Sequence, residues 1–268
     1  MLKDVTLGQY FPGNSLVHVL DPRTKLLFLT FFIAALFSAQ QNPITYGVLL
    51  MVLFVSIALS TISLKIILKG MKPVVFVLIF TGLLNMLYTP GREIFTIGIF
   101  TMTYEGVRTA IFMVVRIVTL ICSTFLLTYT TSPLSLTNGL ETLLNPLKKL
   151  RFPVHELSMI MSIALRFIPN LIEDTDKIMS AQRARGADFD TGNFLQKAKA
   201  LIPLLVPLFV SSFRRADELA VAMECRCYHG GEGRTRLKQL KMNGTDVAVL
   251  CFSVALLAVI LVLNRVVG

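Results

Sequence analysis

Charged side chains are scarce. Asp, Glu, Lys and Arg together make up 16% of the 268 residues, where a soluble domain carries about 25%. Hydrophobic residues make up 54%, and the mean hydropathy is +0.70. These values exclude an ordinary soluble domain and point to a polytopic membrane protein. Cysteine is also sparse. Cys122 and Cys251 lie in apolar runs, while Cys225 and Cys227 flank Arg226, so no disulfide framework is expected. His18, His155 and His229 have no metal-ligand spacing. Cys225, Cys227 and His229 could offer three soft ligands, but no fourth is near, so no metal is expected. There is no G-x-x-x-x-G-K-[ST] motif, and Gly230-Gly231-Glu232-Gly233 lacks its lysine and reads as a loop. No signal-peptide pattern is expected either, because the first apolar run starts only at Leu26 and no small-residue cleavage site follows it.

What the chain does have is a series of long apolar runs. Asp21-Pro22-Arg23-Thr24-Lys25 opens the first: Asp21 suits a helix N-cap, Pro22 the first helical position, and Arg23 and Lys25 a charged interface. The run from Leu26 to Ala39 is short, but with its flanks it approaches the ~20 residues a bilayer core needs. Further spans are predicted over about 44–62, 73–88, 106–129 and 247–263. Between the third and fourth, Pro90-Gly91-Arg92-Glu93 precedes an apolar piece, Ile94 to Met102, too short to cross. A hairpin and a re-entrant segment fit that piece equally. The chain thus divides into a membrane region at 1–129, a charged and Pro-punctuated segment at 130–244, and a last span at 245–268.

The basic residues set the orientation. Twenty-two of the 26 Lys and Arg fall on the N-terminal side of the first run, on Lys65, Lys69 and Lys72, or within 130–244. By the positive-inside rule these pieces face the cytoplasm, and five spans then place the C-terminus outside. Arg92 and Arg265 fall outside, and Arg108 sits near the outer end of the fourth span, where it can snorkel. Arg116 lies near mid-span, where an arginine costs roughly 2.5–3.5 kcal/mol on insertion scales. No Asp or Glu lies inside the proposed spans, so Arg116 is expected to bond backbone carbonyls or polar groups of neighbouring helices.

The segment 130–244 carries a repeat. Ala181-Gln182-Arg183-Ala184-Arg185-Gly186 returns forty-one residues later as Ala222-Met223-Glu224-Cys225-Arg226-Cys227, and Asp176 falls on Asp217. Each copy ends a predicted helix. A short amphipathic one spans 135–149. A long one runs from about Pro153 to Gly186, up to about 50 Å less any kink at Pro169. Asp188, Asp190, Gly192 and Asn193 then reverse the chain. A second long stretch follows, apolar over 201–210 and interrupted by Pro203 and Pro207, polar over 211–228. Two helix ends with one Arg among small residues suggest two similar sockets on partners. Two ordinary helix C-termini, where Arg complements the dipole and Gly ends the helix, would look the same.

With the paired tips, the long helices between the fourth and fifth spans and the Asp21–Lys25 opening in hand, the chain resembles the transmembrane T component of energy-coupling factor transporters, ATP-driven importers of vitamins and transition-metal ions. The resemblance covers essentially the whole chain. Its most specific piece is a pair of Ala-Arg-Gly motifs, intact at Ala184-Arg185-Gly186 and altered at Cys225-Arg226-Cys227. It implies an all-α polytopic membrane protein of about five transmembrane helices plus a cytoplasmic coupling domain of long crossed helices. It implies a non-catalytic subunit without a cofactor, and no nucleic-acid partner. In the family the tips dock in two ABC-type ATPase subunits, which here implies contacts from Ala181, Arg183, Ala184, Arg185, Gly186, Ala222, Glu224 and Arg226. The apolar faces cradle a separate, interchangeable substrate-binding membrane subunit, which implies contacts from Met159, Ile163, Phe167, Leu204, Pro207 and Leu208. A self-contained permease or channel is the alternative, but it needs a polar path that Arg108 and Arg116 alone do not supply. A membrane enzyme using Asp174, Asp176, Asp188 and Asp190 would need a paired catalytic motif, so these are expected to be solvated charges.

Overall fold

The computed structural model describes residues 10–97, 100–150, 152–189, 193–230 and 240–267. Lys3, Asp190, Gly192 and Gly231-Glu232-Gly233 lie outside the described residues. The described chain opens with α1 (Leu16–Val19) and α2 (Pro22–Ser38). Then come α3 (Pro43–Ser60), α4 (Leu64–Met71), a 3-10 turn at Lys72–Val74 and α5 (Val75–Tyr88). Strands β1 (Glu93–Ile97) and β2 (Phe100–Thr103) pair antiparallel, with Ile97 opposite Phe100 and Glu93 opposite Thr103. The apolar piece after residue 93 is therefore a hairpin. After α6 (Tyr104–Thr130) come α7 (Pro133–Leu144) and a 3-10 stretch at Asn145–Leu150, which replaces the end of the single helix expected over 135–149. Two 31-residue helices, α8 (Val154–Ala184) and α9 (Phe194–Glu224), precede α10 (Gly244–Val267). Two compact units result: residues 8–142 with 240–268, and a second formed mainly by Leu143–Gln239.

In the first unit the helix starts follow from local chemistry. The Arg23 N–H donates to Asp21 Oδ1 at 2.9 Å and the Ile44 N–H to Asn42 Oδ1 at 3.1 Å. Pro22 and Pro43 occupy the first helical positions, where a missing N–H does no harm. Four helices among the described residues are long and apolar enough to cross a membrane: Pro43–Ser60, Leu64–Tyr88, Tyr104–Thr130 and Gly244–Arg265. They cover four of the five expected spans, the third beginning at Leu64 rather than 73, so that Lys65, Lys69 and Lys72 lie on its first helical turns. The fifth, α2, has 17 residues and rises about 26 Å, short of the ~30 Å hydrocarbon core. Phe32, Ala35 and Leu36 of α2 pack with Leu49 and Leu53 of α3, Leu126 and Tyr129 of α6, and Leu256 and Ile260 of α10 in one buried core.

A helix that ends short leaves its last carbonyls without water, and each needs a donor. Here other helices provide the donors. Arg116 Nη2 donates to Ala39 O at 2.9 Å and Asn264 Nδ2 to Ser38 O, while Arg108 Nη2 donates to Gln41 O at 2.7 Å in the exposed turn that follows. Arg116 Nε also donates to the Tyr46 hydroxyl at 2.8 Å, and its guanidinium lies 6.0 Å from the ring centres of Phe37 and Tyr46. The mid-span arginine is thus a cap for a neighbouring helix end, with aromatic faces on its flanks.

Candidate functional site

In the second unit, α9 starts on a reciprocal cap. The Asn193 side chain accepts from the backbone three residues on, and the Asn193 N–H donates to Gln196 Oε1 at 3.0 Å. From there α9 runs unbroken through Pro203 and Pro207, and α8 through Pro169, although the sequence predicts an interruption. The reason at Pro207 is visible. A proline cannot donate to the carbonyl four residues back, which leaves Pro203 O without its helical partner. Gln182 of α8 takes its place, donating through Nε2 to Pro203 O at 3.3 Å.

That bond also fixes how the two helices run. Gln182, late in α8, meets Pro203, early in α9, whereas Asp174, earlier in α8, pairs with Arg215, later in α9. The helices are antiparallel and their charged ends point in opposite directions. The Asp174 side chain is only 17% exposed and ion-paired, which corrects the expectation that it is a solvated charge. Asp174 and Arg215 are separated by the same forty-one residues as Arg185 and Arg226. Each partner of the pair therefore stands eleven residues before its own tip arginine, about 16 Å along the helix. The ion pair marks the centre of a two-armed figure with arms of equal length.

The two arms end in the same backbone motif. At the first, the Gly186 N–H donates to Arg183 O and the Ala187 N–H to Gln182 O, both at 3.0 Å. At the second, the Cys227 N–H donates to Glu224 O at 2.8 Å and the Tyr228 N–H to Met223 O at 3.1 Å. Both are Schellman ends closed by a left-handed residue, Gly186 at φ +89° and Cys227 at φ +54°. The second tip thus keeps the left-handed turn without the glycine, at a strain of roughly 1–2 kcal/mol. Ala181, Arg183, Ala184, Arg185, Gly186, Ala222, Glu224, Cys225, Arg226 and Cys227 are all exposed. Arg183 lies 6.0 Å from the ring centre of Phe189, while Arg185 and Arg226 are exposed and each immediately precedes the left-handed residue.

The residues expected to meet a substrate subunit are less accessible. Met159, Ile163, Phe167, Pro207 and Leu208 are half-buried, and Leu204 is 5% exposed. The accessible face of α9 lies one step round the helix. Ile202, Leu205, Val206, Phe209, Val210 and Phe213 are between 47% and 69% exposed, and their three- and four-residue spacing puts them on one stripe. The spacing is a sequence signal; which part of an almost wholly apolar stretch faces outward becomes clear only once its inner face is known. No such face was singled out from the sequence, and neither was the Asp174–Arg215 pair.

The membrane unit holds a cavity of about 490 Å³ among α1, α2, α3, α6 and α10, lined by Phe28, Phe32, Met51 and Phe252 among others. Of its polar lining residues, Ser56, Ser123 and Thr130 give their hydroxyls to carbonyls of their own helices, and Lys25 gives its ammonium to Thr130 O. Such a lining offers no polar track to a hydrophilic solute.

Fold and tips together define a polytopic membrane protein bearing a two-armed helical pair. The CbiQ family model, described as a cobalt transport protein, matches residues 13–237. The chain is 50% identical over 268 residues to a protein of Ruminiclostridium cellulolyticum named energy-coupling factor transporter transmembrane protein EcfT, covering 99% of each chain. Proteins of the same name are similar in Thermosediminibacter oceani (51% over 264 residues, 98% of this chain and 99% of the relative) and Bacillus subtilis (49% over 265 residues, 98% and 100%). The chain belongs to the CbiQ family, and the family resemblance carried by Ala184-Arg185-Gly186 and its second copy holds over its full length.

Proposed function

We propose that this chain is the transmembrane scaffold of an energy-coupling factor importer, neither hydrolysing ATP nor selecting the solute. Two ATPase subunits dock on the tips at Arg185 and Arg226. A separate, exchangeable substrate-binding membrane subunit lies on the apolar stripe of α9 and imports a vitamin or another micronutrient. The N-terminus and both tips face the cytoplasm and the C-terminus lies outside, in line with the distribution of basic residues. The observation that carries this reading is the shared Schellman ending of the two arms, each with an exposed arginine eleven residues from a central ion pair. An arginine there can form charge-assisted bonds to carboxylates or carbonyls in a groove, and small neighbours let the groove close. Closure of two ATP-loaded subunits then moves the tips relative to one another, and the crossed helices pass that motion to the substrate subunit.

Mild-detergent purification of the full complex from native membranes, followed by mass spectrometry, tests the assignment. Two ATP-binding proteins and one small membrane protein are expected in stoichiometric amounts. A lone chain that moves solute without ATP would overturn it and favour a permease.

The central ion pair gives a second expectation. It is part-exposed, so its loss changes fold stability by only about 0.2–1 kcal/mol. Arg215→Asp opposes two carboxylates at the crossing and is expected to lower ATP-driven uptake several-fold at normal abundance. Adding Asp174→Arg restores the pair in reverse and should restore uptake. Absence of rescue would mean that the crossing does not depend on this pair.

A further inference from the structure

The Asp21-Pro22-Arg23-Thr24-Lys25 stretch lies outside the tips and the α9 stripe, yet Asp21, Thr24 and Lys25 are buried and the stretch is heavily bonded. Lys25 is 7% exposed, and its ammonium donates to Thr130 O at 3.0 Å, Thr131 Oγ1 at 3.2 Å and His18 O at 3.1 Å. Thr130 ends α6, the last long helix before the second unit. Pro22 packs on α7, through which the chain leaves the membrane unit: a Cβ added to Gly139 would come within 3.0 Å of the Pro22 Cβ. On the returning side, Arg23 Nη2 donates to Leu240 O at 3.4 Å. The Asp21 N–H donates to Asp246 Oδ1 at 2.9 Å, and Asp246 Oδ2 accepts the Asn243 N–H at 2.8 Å. Asp246 is 1% exposed. Asp21, Pro22, Arg23 and Lys25 therefore hold both the outgoing and the returning chain that connect the membrane unit to the two-armed unit.

We infer that residues 21–25, with Asp246, are the anchor through which motion of the two tips is delivered into the membrane helices. Buried charges such as Lys25 and Asp246 stabilise a fold no better than apolar residues of similar volume, and their use here points to a fixed geometry. If the outgoing and returning chains were loose, displacement of the arms would dissipate in the connections. With both chains fastened to the start of α2, the displacement reaches α2, α6 and α10 together. Lys25, Arg23, Asp21 and Asp246 act as positioning residues. This inference rests on the scaffold function proposed above.

The test uses the complete complex reconstituted in liposomes, with ATP hydrolysis and uptake measured side by side. The uptake probes are radiolabelled cobalt(II) and a panel of B vitamins. In Lys25→Met and Asp246→Asn complexes, hydrolysis is expected within about twofold of wild type and uptake at least tenfold lower, a split that simple loss of folded protein does not produce. Thr131→Val removes one acceptor of the Lys25 ammonium at near-constant volume. Should the first two variants not accumulate, it serves in their place, with a two- to fivefold loss of uptake at full hydrolysis. Uptake and hydrolysis falling in parallel, or uptake within twofold of wild type in the variants that accumulate, overturns the anchor. Wild type that retains no ATPase subunits, or accumulates none of the probes, overturns the scaffold function itself and the anchor with it.

Discussion

Reversing the charge at both tips, Arg185→Glu with Arg226→Glu, is expected to release the ATPase subunits and abolish ATP-driven uptake while the membrane unit stays folded. Both side chains are exposed and stand beyond the last helical turn, so neither contributes to a core. Within a docked groove each would form charge-assisted bonds, and breaking such a pair costs about 2–5 kcal/mol, or 30-fold or more in affinity. The arms extend about 16 Å each from the crossing in opposite directions, far enough apart for the two losses to add. The single reversals should therefore leave partial docking, since the remaining tip still tethers its own ATPase. Co-purification of the ATPase subunits with the single and double variants, at matched membrane abundance, measures this. Wild-type uptake by the double variant would remove the tips from the mechanism.

The second large effect is expected on the stripe of α9. Val206→Asp with Phe209→Asp places two carboxylates in the middle of an apolar face whose side chains are 56% and 61% exposed. The isolated helix tolerates them, because nothing buried is disturbed. A membrane partner seated on that face would have to bury them, at several kcal/mol per unpaired charge. The substrate subunit should therefore be absent from the purified complex, with both ATPases retained and uptake lost. The same pair of substitutions at Leu204 and Leu208 acts differently. Leu204 is 5% exposed and Leu208 half-buried, so carboxylates there attack the packing and lower the abundance of the whole chain. A substrate subunit still bound at full stoichiometry to the Val206/Phe209 variant would show that another face carries it.

Much of this was legible in the residues alone. The cap at Asp21, the apolar runs and the two-copy tip motif are local signals, and the membrane helices and both arm ends lie where they place them, although α4 and α9 begin earlier than the apolar runs alone suggest. What the sequence could not convey depends on contacts between distant residues. Pro207 reads as a break because the donor that replaces its missing backbone bond, Gln182, lies on another helix. Arg116 could be assigned to a carbonyl, but only packing shows that the carbonyl is Ala39 at the end of a helix seventy-odd residues earlier. Asp174 looked like one more surface acid until the antiparallel course of α8 and α9 set it against Arg215. The outward face of α9 was hidden for a related reason. A stretch apolar on nearly every side does not declare which side is covered.

Cys227 has a consequence for how an assembly can be ordered. A non-glycine residue holds the left-handed turn there, so the outline of the second arm is preserved while its surface chemistry changes from glycine to sulfur. The two arms are therefore alike in shape and different in substance. Two identical motors would meet unequal footings on this chain, whereas a pair of related but distinct ones could each recognise its own. The polypeptide thus has a left and a right, and under the proposed docking its two seats are not interchangeable in surface chemistry.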